Sequence, residues 1–133
     1  MPYSLPEDRL YHPTLNLWLI HSGERVRIGL IQYASDLAGP FVSFVPRPVG
    51  QTIYRNRTCA TLESVHWVGP VKSPCGGEIL EFNQHLMEDP GLINRSPYDE
   101  GWLLILRPID WGIDQLELVN AEQMSSVLEE RLG

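Results

Sequence analysis

Lysine is almost missing from this chain: among 133 residues there is one, Lys72. Chemistry that needs a side-chain primary amine therefore has a single candidate. Clusters of positive charge are missing too. Net charge is −7, and the one local basic run, Arg55-Asn56-Arg57, reads as a solvated turn. The electrostatic footprint of a nucleic-acid binder is absent. No apolar run approaches the roughly 20 residues needed to span a bilayer. The first residues, MPYSLPEDRL, lack the charged-then-apolar pattern of a secretory leader. The expectation is a cytoplasmic protein without membrane or nucleic-acid partners. Cysteine is scarce as well. Cys59 and Cys75 are thiols by default in that compartment, although they flank residues 66–67 almost symmetrically, so whether they pair stays open.

Motifs for metal and for catalysis are also lacking. The histidines, at positions 12, 21, 66 and 85, have no second ligand at metal spacing, and neither C-x-x-C nor H-E-x-x-H occurs. Gly76-Gly77 is no phosphate cradle, having no strand before it and no helix after it, and reads as a turn. No metal site and no catalytic residue is expected, and the chain does not read as an enzyme. The one grouping from which a new catalytic site could be built is His66 with Cys75 or Glu63.

What the sequence does contain is short segments between many turns, with 11 Gly and 11 Pro. Residues 1–14 read as an irregular N-terminal arm and 15–133 as one domain. Leu15–His21 and Arg25–Ile28 form a first hairpin around Ser22-Gly23-Glu24. Ile31, Ala34, Leu37 and Ala38 share one apolar helical face that Gly39-Pro40 ends. Strands follow at 41–45, 52–54, 59–65 and 77–82, then a short helix capped by Asn83 and stopped before Pro90. Trp102–Leu106 is the best buried strand. Asn120 and Gln123 make a capping box, with Val119 and Met124 as its staple, for a last helix whose stripe is Met124, Val127, Leu128 and Leu132. The fold class is mainly β, with short peripheral helices and a C-terminal helix.

At residues 61–80, TLESVHWVGPVKSPCGGEIL, a strand runs up to His66-Trp67 and returns through Pro70, Pro74 and Gly76-Gly77. This stretch resembles the lipoyl hairpin of the glycine cleavage system H protein family. Glu63-Ser64-Val65 matches that family's approach to its tip, and SPCGGEI is similar to its APVSGEI return. Asp89-Pro90-Gly91-Leu92-Ile93-Asn94 and Pro97-Tyr98-Asp99-Glu100-Gly101-Trp102 resemble its later NPELIN and PYGEGW stretches, and AGPFVSFVPRPVG its LGDIVFVELPEVG. The likeness runs from Tyr11 to the final helix.

The resemblance implies a lipoyl/biotinyl-type β-sandwich hybrid and a carrier of lipoate on a lysine. Here the lysine's position is His66, framed by Glu63, Ser64, Val65 and Trp67. Pro70 stands where the family often has a carboxylate, and Leu17 where it has an acid before its first-strand Trp. A lysine amide is resonance-stabilised and lasts. An acylated imidazole is hydrolysed, because its nitrogen lone pair is shared with the ring. Histidine also lacks lysine's four-carbon reach. The departures fall on positions around the cofactor arm, and the matches on turns and core. The reading is therefore a non-lipoylated relative with no cofactor, a docking or regulatory module for proteins that bind lipoyl carriers. Two alternatives stand beside it: a working lipoyl carrier modified at Lys72, and the catalytic site around His66. Trp67 either anchors a partner or folds back over its own sheet.

Overall fold

Alternating apolar residues in segments of five to seven bury one face each only if the segments pair side by side. In the computed structural model, which describes residues 2–133, they do so in this order: β1 (Leu10–His12), β2 (Leu17–Ser22), β3 (Arg25–Leu30), α1 (Gln32–Ala38), β4 (Phe41–Pro46), β5 (Thr52–Ile53), β6 (Thr58–Ser64), β7 (Val68–Lys72), β8 (Gly77–Phe82), α2 (His85–Glu88), α3 (Leu92–Arg95), β9 (Leu104–Pro108), α4 (Trp111–Asp114), a 3-10 turn (Gln115–Glu117) and α5 (Ala121–Leu132). One sheet has six strands in the order β1-β2-β3-β9-β8-β5, and the other has three in the order β4-β6-β7. All pairings are antiparallel.

The main core lies between the sheets and includes Leu19, Ile28, Phe44, Leu62, Ile79 and Leu106. A second cluster joins Tyr11, Trp18, Ile31, Met124 and Leu128 under the C-terminal helix. The capping box is formed: Asn120 Oδ1 accepts from the Gln123 N–H at 2.8 Å, and the Asn120 N–H donates to Gln123 Oε1 at 2.9 Å. The Trp18 indole donates to the Pro97 carbonyl at 2.8 Å, tying β2 to the turn after α3.

Several expectations are corrected. The N-terminal arm is not wholly irregular, because Leu10–His12 pairs with Leu17–Leu19 and Tyr11 is fully buried. A tertiary pairing supplies that strand, and three residues show no period of their own. Leu37 is 69% exposed, so the apolar face of α1 reaches beyond the core. Leu132 is likewise exposed, past the end of the surface that α5 covers. Helices α3 and α4 are single turns without side-chain caps, which leaves no signature in the sequence. The cysteines, thiols by default with their pairing left open by the sequence, are buried free thiols, and burial pushes the pKa of each up to about 12.

Two polar side chains, half-buried Asn94 and buried His12, tie separate segments together. Asn94, on α3, donates from Nδ2 to Ser35 Oγ and to the Gly39 carbonyl, both at 2.9 Å, and its Oδ1 accepts from the Phe41 N–H at 2.9 Å. It thus clasps the end of α1 and the start of β4, across a Gly39 held at φ 83°. Buried His12 accepts the Leu15 N–H on Nδ1 at 3.1 Å. Its Nε2 faces Glu117 at 3.5 Å, too long for a good hydrogen bond, and has no other partner among the described residues. Burial lowers the His12 pKa below 6.5, against the opposing pull of Glu117 and with Arg55 adding to the depression.

Removing the Asn94 amide strands the Phe41 N–H and the Gly39 carbonyl. Asn94→Ala is expected to lose about 1–3 kcal/mol in urea unfolding. For His12 the folded state resists the proton that the unfolded chain takes up near 6.5. Its contribution is therefore complete above that pH and is lost as pH falls below it. The unfolding midpoint should fall between pH 7 and 5, and His12→Asn, which keeps an acceptor for Leu15, should flatten that slope.

Candidate functional site

The β6–β7 hairpin carries the site. Along β7, Gly69 and Val71 are buried while Val68, Pro70 and Lys72 are exposed, the alternation of a strand with one covered face. It is an edge strand, where proline is tolerated. At the tip the Ser64 N–H donates to the Trp67 carbonyl at 2.7 Å, closing a loop of Val65, His66 and Trp67.

Ser64 fastens that loop to the body. Its hydroxyl, on a residue only 4% exposed, donates to the Ala38 carbonyl at 2.5 Å and accepts from the His66 N–H at 3.2 Å. The Val65 N–H adds a bond to the Pro40 carbonyl at 3.3 Å. The tip therefore rests on the end of α1, the same turn that Asn94 clasps. The His66 ring comes close to Gly39 there. Ser64 stands out in the sequence, whereas nothing there gives Asn94 or Ser35 a role. Asn94 sits in a single-turn helix with no period to mark it, and only its place at the end of the Asp89–Asn94 stretch could have drawn attention.

Glu63 and Ser64 end β6, and Val65, His66 and Trp67 make the turn that follows. Lys72 does not join them. It lies at the other end of β7, opposite Thr58 and about 16 Å along the strand from Trp67, and has no ion-pair partner among the described residues. The grouping of His66 with Cys75 or Glu63 is not assembled. No carboxylate or thiol lies within hydrogen-bond reach of the His66 ring among the described residues, so no base–nucleophile pair forms. Cys75 is buried beyond β7, beside Ser73, whose hydroxyl donates to the Cys75 carbonyl at 2.6 Å. Of the two readings of Trp67, the fold-back is what the structure has. The indole lies across Gly69, where any added methyl would overlap the ring, and stays 42% exposed.

Trp67 and Lys72 both border a groove of about 520 Å³ between β7, α1 and the turn joining β1 to β2. Leu17, Leu30, Phe41 and Leu62 contribute apolar surface to it, and Leu37 flanks it. Among the described residues, Lys72 is the only charged one that lines it. A groove of this kind can shelter a slender apolar chain, and the tip can meet a partner through exposed Val65, Trp67 and Val68.

Comparison with known proteins agrees with this architecture. A family profile described as "Glycine cleavage H-protein" matches residues 9–131. Glycine cleavage system H protein 5 of Aquifex aeolicus is 38% identical over 129 residues, covering 94% of this chain and 87% of that protein. A glycine cleavage system H protein of Thermus thermophilus is 38% identical over 125 residues, covering 94% of this chain and 96% of that protein. The crystal structure of a glycine cleavage system H protein from Mycobacterium marinum superposes with a TM-score of 0.81 at 28% identity, covering 92% of this chain and 97% of that one. With its two antiparallel sheets, its β6–β7 hairpin held out beside α1 and a family match over nearly its whole length, the chain belongs to the glycine cleavage H-protein family.

Proposed function

We propose that this chain is a non-lipoylated H-protein-like module, which docks on enzymes that handle lipoylated carriers and acts there as adaptor or regulator. The observation behind it is that an imidazole, His66, stands at the tip, while the only lysine lies at the far end of β7. A durable acyl arm needs an alkylamine at the hairpin tip. His66 offers a ring held near Gly39, whose acyl form water would cleave. Trp67 folded over Gly69 also occupies space beside the groove. The relatives are named for the glycine cleavage system, which points to that system's enzymes as partners. Exposed Val65, Trp67, Val68 and Leu37 form an apolar surface around the tip suited to a protein contact. The role is that of a carrier-like binding protein and not of a catalyst.

A second reading has one observation in its favour. Lys72 is exposed and without an ion-pair partner among the described residues, so its amine is accessible to a modifying enzyme. Intact mass after co-expression with lipoylating enzymes separates the two. The native chain is expected at its unmodified mass. A lipoyl adduct on it would falsify the non-lipoylated reading, and its loss in Lys72→Arg would assign the adduct to Lys72. His66→Lys is expected to gain one lipoyl group, since the Ser64 bonds that hold the tip do not involve the imidazole. An unmodified graft would show that the tip no longer presents a residue to those enzymes.

A further inference from the structure

The element that follows β9 has its amphipathic pattern reversed. Leu116 lies three residues beyond Ile113 and four beyond Gly112, which puts the three on one face as the chain runs through α4 into the 3-10 turn. Ile109 stands just ahead of Asp110, where the element begins. All four are exposed, and Leu116, at 76%, is the most exposed large hydrophobic residue among those described. The inward side carries other groups. Asp114 is buried, accepts the Gly76 N–H at 2.9 Å and stands 3.4 Å from Arg55. Trp111 stacks on His21 of β2, with ring centroids 4.5 Å apart. The element is thus fixed at two points while it holds three large aliphatic side chains out to water. A surface helix ordinarily does the opposite, and an exposed apolar cluster on a fixed platform marks a contact site. The face is open at Gly112, where nothing lies within 4 Å of the position a β-carbon would take, so another backbone can come close.

The surroundings of this face are acidic. No lysine or arginine occurs from Pro108 to Glu130, and exposed Asp110 and Glu117 stand next in sequence to Ile109 and Leu116. Arg55, which reaches the element, is already shared between Asp114 and Glu117. A second copy of the chain would bring like charges together here, and an anionic lipid surface would do the same. The element is helical and offers no open strand edge, so a partner's backbone must satisfy its own hydrogen bonds, as a helix does. We infer that the Ile109–Leu116 face is a docking surface for a basic amphipathic helix of a partner protein. The helix lays its apolar stripe on Ile113 and Leu116 across Gly112, with lysines or arginines toward Asp110 and Glu117. This face shares no residue with the hairpin tip or with the groove beside β7, and it is available whether or not the chain carries lipoate.

The test uses the full chain and three synthetic peptides of about 18 residues, or five helical turns. The first is a helix with a leucine stripe flanked by lysines. The second has glutamates in place of the lysines, and the third scrambles the first at constant composition. Each is titrated while amide NMR shifts are followed. The lysine helix is expected to saturate with its shifts centred on Ile109, Gly112, Ile113 and Leu116, and to bind about tenfold more tightly than either control. Gly112→Arg puts a long cation into open space, so it should leave the unfolding midpoint unchanged and weaken the lysine helix about tenfold. Leu116→Gln, at an exposed position, should weaken it by a similar factor. The inference is overturned if the scramble binds as well as the helix, if the shifts fall on the groove bordered by Glu122 and Glu129, or if both variants keep full affinity. It is also overturned if the signals of Ile113 and Leu116 shift with protein concentration alone, which makes a second copy the occupant. The same holds if zwitterionic lipid vesicles perturb them and the lysine helix does not. A lipoyl adduct on the native chain, with helix binding intact, would sink the proposed function alone. An unmodified chain that binds no helix would sink this inference alone.

Discussion

The Ser64 hydroxyl is one oxygen serving two elements, and the tip is held by it. A loop closed by a single backbone bond would otherwise swing at the end of its strands. By donating to the Ala38 carbonyl and accepting from the His66 N–H, Ser64 ties the loop to the last turn of α1. That turn is itself held by Asn94, which satisfies both the Gly39 carbonyl and the Phe41 N–H. Helix, strand and hairpin tip thus share one short chain of hydrogen bonds. The bonds are part-buried, so losing one costs its partner a hydrogen bond that water only partly replaces. The consequence for function is that His66 and Trp67 are presented at a defined place beside the groove.

The side of β7 that faces this groove is built from small differences in side-chain length and charge. Gly69 leaves room for the Trp67 ring to lie flat on the strand. Pro70 takes an edge position where it breaks no ladder. Lys72 ends the strand in solvent, bringing positive charge to a molecule that is acidic elsewhere. Leu37, left exposed by α1, extends the apolar surface toward the tip. The proposed docking role draws on the outer apolar residues of this surface.

A polar network around α4 ties segments that are distant in sequence. Asp114, nearly buried on α4, accepts the Gly76 N–H at 2.9 Å and stands 3.4 Å from Arg55. Arg55 also approaches Glu117, which in turn faces His12. The network joins β1, the loop before β6, the turn before β8 and the 3-10 turn, elements far apart in sequence. It encloses the return of the hairpin near Cys75, whose thiol burial keeps protonated and unreactive at neutral pH. Neither cysteine has the electropositive, accessible setting of a reactive thiol.

Much of the fold was legible because it depends on period and caps, which are local. The alternation in Gly77–Phe82, the apolar run ending in Leu106 and the Asn120–Gln123 box each declare their element without reference to the rest of the chain. The lack of any lysine but Lys72 was equally present in the sequence as composition. What composition could not decide was adjacency. That Leu10–His12 is a strand follows only from β2 lying beside it. That Asn94 is a clasp follows from α3 meeting α1, and that His66 has neither Cys75 nor Glu63 as a partner follows from where the hairpin's ends point. Whether Trp67 reaches outward or folds back likewise depends on the space above Gly69. Local preferences determine elements because they act over a few bonds. Contacts between elements are decided by packing and by the need to pair buried polar groups, and these exist only once the sheets have come together.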